Sequence, residues 1–331
     1  MVIPHTIKLL STIKPGTHLP DDIPCFDKAE IEELATILGS LVYAPSSLRK
    51  LLQEKGITIT PSDFYSEVPT VAEIESSFAK SSKLKLDRIF HDHLFLLESL
   101  HKLDYYADEF KAPLASQDPT RYAWEGCAFS YSDAMAYYCM IRLKQPKKII
   151  EIGSGASTLV ARQALEKNGF GTIVAVEPFP LSCLNAIADV ELITERAQDL
   201  DSSFFNDHLS DGDILFIDST HTVKHDSDVL HIYLRVLPEL NRSITIHAHD
   251  IYLPESLPLN LLRDHQIYWT EQYLLYAYML NNPRVRTLFG SRYHMLNHHA
   301  ELTRFMRNQY QPGGASLWFE QTKLIAVETP D

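Results

Sequence analysis

The feature that most constrains the fold is the stretch KKIIEIGSGASTLVAR, which runs from Lys147 to Arg162. Apolar residues lead into an acid, a glycine-rich bend follows, and a helix-forming run begins with Ser157 and Thr158. This order predicts a buried parallel strand that ends at Glu151, then a turn, then a helix whose N-terminus points at a ligand. The stretch therefore predicts the start of a nucleotide-binding βαβ unit.

The spacing of the glycines indicates which class of nucleotide the bend can bind. A dinucleotide fingerprint requires a third glycine, and Thr158 occupies that position. A P-loop requires a Lys before Ser or Thr, which this bend lacks. Glu151 precedes Gly153 by two residues and disfavours phosphate. The bend instead favours a ligand with an ammonium group, such as the methionine moiety of S-adenosylmethionine.

From Tyr122 onward, strand-like and helix-like segments alternate. Strands separated by helices require right-handed crossovers and a parallel sheet, so the predicted fold class is α/β and Rossmann-like. Two further strands, over 285–291 and 316–320, follow without a crossover of the usual length. The five strands predicted to be parallel cover residues 148–152, 172–177, 191–195, 213–218 and 243–249.

Residues 1–120 are predicted to form an N-terminal arm and a helical cap or lid region. Residues 1–22 contain several prolines and little periodicity, which indicates an extended arm. Capped helices are predicted after Asp27 and Thr70, and one long helix over 84–110. The segment PLASQDPT, at 113–120, indicates a linker. The α/β domain is therefore predicted over residues 121–331.

Composition excludes several partners and compartments. The chain has 30 basic and 43 acidic residues and a net charge of -13, which argues against nucleic-acid and anionic-membrane binding. Its 4 cysteines show no C-x-x-C spacing, and the N-terminus lacks the apolar stretch of a signal peptide. No run reaches the length of a membrane span. We therefore predict a cytoplasmic protein.

Several motifs resemble those of a known enzyme class. IIEIGSGASTLVAR resembles the first motif of class I S-adenosylmethionine-dependent methyltransferases, and VAVEP, at 174–178, resembles their second strand with its ribose-binding acid. The resemblance implies a seven-stranded, mostly parallel methyltransferase sheet with an antiparallel last strand. More specific similarity to the bacterial methyltransferase domain 24 family lies in DILFIDSTHTVKHDSDV (213–229), ITIHAHDIYLP (244–254), WTEQYLLYAYML (269–280) and GGASLWF (313–319).

The cofactor implied by this resemblance is S-adenosylmethionine, bound beyond the carboxyl ends of the strands. Glu177 ends the second strand, where a carboxylate accepts both ribose hydroxyls. Asp199 is a candidate for the adenine amino group, with capping of the next helix as the alternative. Tyr131 is a candidate for the sulfonium end, with ordinary packing as the alternative. The predicted cofactor-binding residues are Glu151, Gly153, Ser154, Gly155, Ser157, Thr158, Glu177, Asp199, Asp218 and Tyr131.

The predicted catalytic residues are Asp218 and His221, in the sequence DSTH. Sugar and natural-product O-methyltransferases with a similar D-x-x-H arrangement use the Asp for magnesium and the His as the base, and the resemblance implies those roles here. Asp218 and Asp250 would give two oxygen ligands for Mg²⁺ or Mn²⁺, with His249 as a tentative third ligand. The catechol-type pattern has Asn after this Asp, whereas this chain has Ile251, so the third ligand is left open.

The sequence thus predicts an enzyme that methylates a hydroxyl oxygen of a small polar acceptor, such as a sugar or a secondary metabolite. Two alternatives stay open: N-methylation or a metal-free mechanism, and a non-catalytic protein that retains the cofactor fold as a binding or scaffolding module. A small-molecule acceptor is the expected partner, and a homodimer is left open.

Overall fold

A seven-stranded sheet lies at the centre of the larger unit in the computed structural model of the protein. Its strands are β1 (Lys148–Ile152), β2 (Thr172–Val176), β3 (Val190–Ile193), β4 (Ile214–Ile217), β5 (Ile244–Ala248), β6 (Val285–Gly290) and β7 (Leu317–Gln321). The order across the sheet is β3-β2-β1-β4-β5-β7-β6. Strands β1 to β5 pair in parallel, and β7 runs antiparallel to both β5 and β6. The predicted mostly parallel sheet with an antiparallel last strand is confirmed.

The structure describes residues 27–80, 85–185 and 187–323, and these residues form two compact units that divide between Ser76 and Ser77. The arm predicted over residues 1–22 lies outside the described residues. In the smaller unit, helix α1 (Lys28–Gly39) begins after Asp27, whose side chain forms a capping box with Glu30. Helix α2 (Ser46–Gln53) follows, and α3 (Val71–Ala79) begins in this unit.

Helices connect the strands of the larger unit and cover both faces of the sheet. None of the helices in the described ranges is long and apolar enough to cross a membrane. The helices are α4 (His93–Asp104), α5 (Tyr131–Lys144), α6 (Ala156–Asn168), α7 (Ser182–Asn185), α8 (Ser202–His208), α9 (Asp228–His231), α10 (Leu237–Glu239), α11 (Leu259–Arg263), α12 (Glu271–Met279), α13 (Ser291–Asn297) and α14 (His299–Phe305). A π-helical turn, Ile232–Val236, joins α9 to α10.

Alternation along the strands divides the core into two layers, one on each face of the sheet. Ile149 packs with residues of α5 and α6 on one face, whereas Ile150 and Ile152 pack with residues of the π-helical turn on the other. Glu151 therefore lies on the face that α5 and α6 cover. A carboxylate at this position is enclosed by helices, which matters for its chemistry below.

The long helix predicted over 84–110 does not form as one element. Residues Arg88–Phe90 and Ala107–Glu109 form 3₁₀ turns on either side of α4. The reason is local, because the Asp92 side chain accepts a hydrogen bond from the Phe95 N–H and starts a new helix. Leu103 and Phe110 of this segment pack against α5, so residues 85–120 belong to the larger unit.

Gly153 lies where the chain leaves β1, and its surroundings predict how a substitution there would change the stability of the protein. It has a φ of +78°, and a Cβ at this position would lie 1.9 Å from the carbonyl oxygen of Asp218. A left-handed conformation costs a non-glycine residue about 1–3 kcal/mol, and overpacking costs a similar amount. We expect Gly153→Ala to lower the free energy of unfolding by about 2–5 kcal/mol, measured by chemical denaturation.

Gly313→Ala is the matched control, because nothing lies within 4 Å of a Cβ at Gly313. That variant should stay within about 0.5 kcal/mol of the wild-type protein. Equal stability of the two variants would contradict the close approach of Gly153 to Asp218.

Candidate active site

The predicted site residues lie at the carboxyl ends of neighbouring strands. Glu151 is in β1, Asp218 follows β4, and Asp250 follows β5. Strands β2 and β4 flank β1 on opposite sides, so the crossovers diverge at this point of the sheet. Ligands of open α/β sheets bind at such a point. The topology thus brings these three carboxylates to one edge.

The glycine bend between β1 and α6 is held by short hydrogen bonds. The Gly153 N–H donates to the carbonyl of Val176 at the end of β2, at 3.0 Å. The Gly155 N–H donates to Oγ1 of Thr158 in the first turn of α6, at 3.1 Å. Thr158, which replaces the third glycine of a dinucleotide motif, therefore ties the bend to the helix.

Glu151 is fully buried below this bend. Its Oε1 accepts a hydrogen bond from the Tyr137 hydroxyl at 2.9 Å, and its Oε2 accepts one from Thr158. Burial raises the pKa of Glu151 to about 7, although the hydroxyls of Thr158 and Tyr137 oppose that shift. The carboxyl group therefore changes its charge near neutral pH, unlike an exposed glutamate.

Glu177 lies at the mouth of the bend, just after β2. Its two carboxylate oxygens accept hydrogen bonds from the N–H groups of Ser154, at 3.2 Å, and Phe179, at 2.8 Å. The Ser154 hydroxyl is buried and has no hydrogen-bond partner among the described residues. A fixed acid and an unpaired hydroxyl thus face the same bend, as a site for a polar ligand requires.

Asp199 is exposed and forms an ion pair with Arg196 at 2.7 Å. It lies in a short 3₁₀ turn after β3, and the residue that caps α8 is Asp201, not Asp199. The capping role that the sequence left open is therefore taken by its neighbour.

Tyr131 packs in an aromatic cluster at the start of α5. Its ring stacks on Tyr310 with centroids 3.7 Å apart, and its hydroxyl points to the carbonyl of Phe110 at 3.4 Å. These contacts are those of ordinary packing, the role that the sequence offered as the alternative for Tyr131. The tyrosine of α5 that bonds to a predicted site residue is instead Tyr137, through Glu151.

Asp218, His221 and Asp250 form the centre of the candidate active site. The Nε2 atom of His221 lies 3.2 Å from Oδ1 of Asp218 and 3.5 Å from Oδ2 of Asp250. One potential ligand atom from each residue lies within 4.8 Å of the others, a set that fits a metal ion, and the described ranges contain no other such group. The set includes His221, whereas the sequence offered His249 as the third ligand.

His249 lies beside this centre, between two carboxylates. Its Nδ1 is 3.4 Å from Oδ1 of Asp218, and its Nε2 is 3.4 Å from Oδ2 of Asp133. Burial disfavours the charged ring, but these two carboxylates outweigh burial and raise the pKa of His249. Both ring nitrogens then carry protons, so His249 contributes a positive charge here rather than a lone pair.

The two histidines and the acids around them shift one another's pKa values in opposite directions. Burial lowers the pKa of His221, but hydrogen bonds to Asp218 and Glu271 outweigh it and raise the pKa to about 10. Burial alone would raise the pKa of Asp218, but His249 and His221 hold it well below its usual range. Burial raises the pKa of Asp250. The centre as it stands therefore holds a protonated His221.

Two acids of the site were missed from the sequence. Asp133 is buried in α5 and accepts hydrogen bonds from Ser130, from Ser316 and from the Ala315 N–H. Glu271 is buried at the start of α12 and lies 2.7 Å from Nδ1 of His221. Each comes from an element that is distant in sequence from its partner. Acids in the first turn of predicted helices were the available signal, but such acids are common.

A cavity of about 610 Å³ opens at the same end of α5 as Asp133. Tyr131 and Tyr310 line it, together with Lys111, Gln117 and Arg121. Two of its walls are joined by a hydrogen bond, because the hydroxyl of Ser132, beside Tyr131, donates to the carbonyl of Gln311, one residue beyond Tyr310, at 3.3 Å. The lining residues do not include Asp218, His221 or Asp250.

Comparisons with known proteins identify the domain. A family model described as a methyltransferase domain matches residues 150–251, which span β1 to the loop after β5. An uncharacterized protein of Archaeoglobus fulgidus is 31% identical over 165 residues, which cover 46% of this chain and 75% of the relative. The residues that the family model matches include the glycine bend and the acid cluster, a name used here for Asp218 and Asp250.

Solved structures with similar folds share little sequence with the chain. The O-methyltransferase TomG from Streptomyces achromogenes, solved with S-adenosylmethionine, is 15% identical, with a TM-score of 0.36 and coverage of 73% of this chain and 97% of that chain. An O-methyltransferase from Bacillus cereus, solved with S-adenosylhomocysteine, is 15% identical, with a TM-score of 0.33 and coverage of 69% and 90%. Scores this low add no argument about the chemistry.

The sheet order, the glycine bend and the acids at the strand ends define a class I S-adenosylmethionine-dependent methyltransferase. Within that class, the chain belongs to the methyltransferase domain family that its motifs resemble and whose model it matches. The predicted family and enzyme class are thereby confirmed, together with S-adenosylmethionine as the cofactor of that class.

The raised pKa of Glu151 predicts how the affinity for S-adenosylmethionine depends on pH. If Glu151 binds the ammonium group of the cofactor, as the motif resemblance implies, its carboxyl group must lose a proton before it attracts that group. With a pKa of about 7, the affinity should rise about tenfold from pH 5.5 to pH 7.0, measured by isothermal titration. The prediction applies only up to pH 7.0, because the α-amino group of the cofactor itself loses its proton near pH 7.7–8.0.

In Glu151→Gln, which cannot ionise, this dependence on pH should disappear. Tyr137→Phe removes one hydroxyl from Glu151 and leaves its carboxyl group, so the dependence should persist in that control. A dependence that survives in Glu151→Gln would assign the titration to another group.

Proposed function

We propose that the protein methylates a hydroxyl oxygen of a small polar acceptor, with His221 as the general base and with Mg²⁺ or Mn²⁺ held by Asp218 and Asp250. The observation that carries this proposal is the position of His221 Nε2, which faces both carboxylates at the switch point of the sheet. Histidine is the side chain best suited to take a proton from a hydroxyl near neutral pH.

The cofactor would lie across the glycine bend. In this proposal Glu151, Gly153 and Gly155 form the floor under its methionine part, and Ser154, Ser157 and Thr158 line the turn. Glu177 accepts the ribose hydroxyls. Its carboxylate is already oriented by two N–H groups, which supports that role because an oriented acceptor loses little freedom when the ligand binds. Asp199 would have to leave Arg196 to reach the adenine.

The donor set at the acid cluster fits a hard divalent cation. Asp218 and Asp250 offer carboxylate oxygens, the ligands that Mg²⁺ and Mn²⁺ prefer. Such a cation would hold the acceptor oxygen and lower the pKa of its hydroxyl. Nε2 of His221 is able to bind a cation or to take a proton, but not both at once, and we assign it the proton.

The raised pKa of His221 implies that the charge of the neighbouring carboxylates must be compensated before His221 can act as a base. Hydrogen bonds to Asp218 and Glu271 raise the pKa of His221, so that as long as Asp218 is uncompensated, Nε2 keeps its proton and cannot act as a base. Neutralising the Asp218 carboxylate removes part of the interaction that retains the proton. His221 would then accept the acceptor proton while the site holds the oxygen in line with the methyl group, so alignment supplies much of the rate.

One observation favours a metal-free mechanism as the second candidate. His249 and His221 both face Asp218, so two imidazolium rings are able to balance the carboxylates without a cation. In that case Asp218 would hold the acceptor hydroxyl directly. A chelator separates the two candidates, because only the metal-assisted reaction should lose activity in EDTA.

Titration with S-adenosylmethionine and S-adenosylhomocysteine tests the cofactor site. Both should bind, and Glu177→Ala should weaken binding at least about tenfold, because it removes charged hydrogen bonds to the ribose. Glu195→Ala is the control, since Glu195 is an exposed acid after the neighbouring strand β3. If neither compound binds the folded protein, the non-catalytic scaffold becomes the better description.

Titration with Mn²⁺ tests the division of roles in the acid cluster. Asp218→Asn and Asp250→Asn should each weaken Mn²⁺ binding at least about tenfold, because each removes a charged ligand. Asp264→Asn is the control, because Asp264 is exposed and paired with Arg263. His221→Ala should retain Mn²⁺ and lose about 10²–10⁴-fold of the transfer rate, measured as S-adenosylhomocysteine release across a panel of sugars and phenols. Loss of Mn²⁺ in His221→Ala would make His221 a ligand rather than the base.

A further inference from the structure

Glu271 is buried against the side of His221 that faces away from the acid cluster. It is 1% exposed, and its Oε2 lies 2.7 Å from Nδ1 of His221. The same oxygen accepts a hydrogen bond from the Ser219 hydroxyl at 3.0 Å. Its other oxygen, Oε1, accepts one from the buried hydroxyl of Tyr233 at 2.7 Å. Both oxygens of Glu271 are thus held by fixed donors.

The backbone clamps these two residues together. The N–H groups of Thr270 and Glu271 both donate to the carbonyl of His221, at 2.8 and 3.0 Å. His221 has a φ of +57°, a conformation that costs a non-glycine residue free energy and is retained when surrounding contacts enforce it. The ring of Trp269 packs 4.6 Å from the imidazole. The first turn of α12 therefore determines both where the ring lies and how it is turned.

The protonation of the ring follows from these partners. An ionised carboxylate only accepts hydrogen bonds, so Nδ1 of His221 must be the donor to Glu271. When His221 is neutral, its lone pair is then on Nε2, the atom that faces Asp218 and Asp250. A histidine whose Nδ1 lacked this acceptor would be free to place its proton on Nε2 and lose its function there.

We propose that Glu271 is the positioning residue of the active site, which fixes His221 as the Nδ1–H tautomer and aims Nε2 at Asp218 and Asp250, while Tyr233 holds Glu271 in place. This inference rests on the proposed function for the role of Nε2. The contact between Glu271 and His221 is testable without that function, so the two can fail separately.

Glu271→Gln is the decisive variant because it keeps the size of the side chain and reverses one hydrogen bond. The glutamine oxygen is able to accept from Tyr233, and its NH₂ group then faces Nδ1 as a donor. His221 is expected to answer by moving its proton to Nε2, which presents an N–H to the acid cluster. Loss of a carboxylate that orients a catalytic histidine in this way lowers the rate by up to about 10⁴-fold.

The first measurement is proton NMR of protein labelled with ¹⁵N-histidine. The wild-type protein should show a downfield ring N–H signal from Nδ1 of His221, identified by its absence in His221→Gln. This signal should disappear in Glu271→Gln and return, shifted, in Glu271→Asp, which keeps a carboxylate. Glu255→Gln is the control: Glu255 pairs with Arg292, so the signal should be unchanged. A signal that persists in Glu271→Gln would overturn the proposal.

The second measurement is S-adenosylhomocysteine release by the same variants, with titrations of Mn²⁺ and of S-adenosylmethionine as controls. Glu271→Gln should lower the transfer rate by up to about 10⁴-fold, as His221→Ala should, and leave the affinities for Mn²⁺ and S-adenosylmethionine within about twofold, which a general loss of structure would not do. Tyr233→Phe should give a smaller loss of rate, because the Glu271–His221 contact remains. A wild-type transfer rate in Glu271→Gln despite a lost N–H signal would show that the contact does not position His221 for its role, and would overturn the proposal.

If the wild-type protein binds no Mn²⁺, the proposed cation assistance fails, and the N–H signal still decides whether Glu271 fixes the tautomer of His221. If Glu271→Gln does not fold, Glu271→Asp and Tyr233→Phe carry the test. In that case, a lower transfer rate together with a shifted N–H signal supports the inference, and wild-type values for both in Glu271→Asp and Tyr233→Phe count against it.

Discussion

The close approach of the β1 bend to the end of β4 determines where every part of the site lies. Gly153 passes against the carbonyl of Asp218, at a distance that leaves no room for a side chain, and the Asp218 N–H donates to the carbonyl of Ile152 at 2.8 Å. This contact sets the glycine bend directly beside the first residue of the acid cluster. A cofactor on the bend and an acceptor at the acid cluster would therefore lie next to each other without a conformational change.

The buried acids and histidines around Asp218 form an arrangement that favours chemistry rather than stability. Burying several ionisable groups together costs free energy that their mutual attraction must offset, and apolar residues of similar size often give an equally stable or more stable protein. Here Asp133, Asp218 and Glu271 surround two imidazole rings, and each ring touches two or more carboxylates. Such a balanced set responds strongly to any new charge, which is the property that a cation or a reacting group would use.

Whether a feature of the fold or the site could be predicted from the sequence depends on whether the residues that form it are close together or far apart in the chain. The five parallel strands and the glycine bend follow from periodicity and spacing alone, and so does the position of Glu151, Asp218 and Asp250 at strand ends. The break in the helix predicted over 84–110 was not foreseen, because an Asp92 cap competes with a continuous apolar pattern. The roles of Asp133 and Glu271 depend on contacts across many residues of sequence, which no local pattern encodes.

His247 and His249 show how far the fold determines the chemistry of a residue type. His247 lies in β5 and His249 directly follows the strand, yet burial lowers the pKa of His247, while carboxylates raise that of His249. The Ser316 hydroxyl donates to Asp133 at 2.6 Å, so it must accept from Nε2 of His247, which lies 2.8 Å away. The neutral histidine thus fixes Ser316, Ser316 fixes Asp133, and Asp133 holds the charged histidine beside Asp218. Through this chain the antiparallel strand β7 becomes part of the active site, since Ser316 precedes it by one residue.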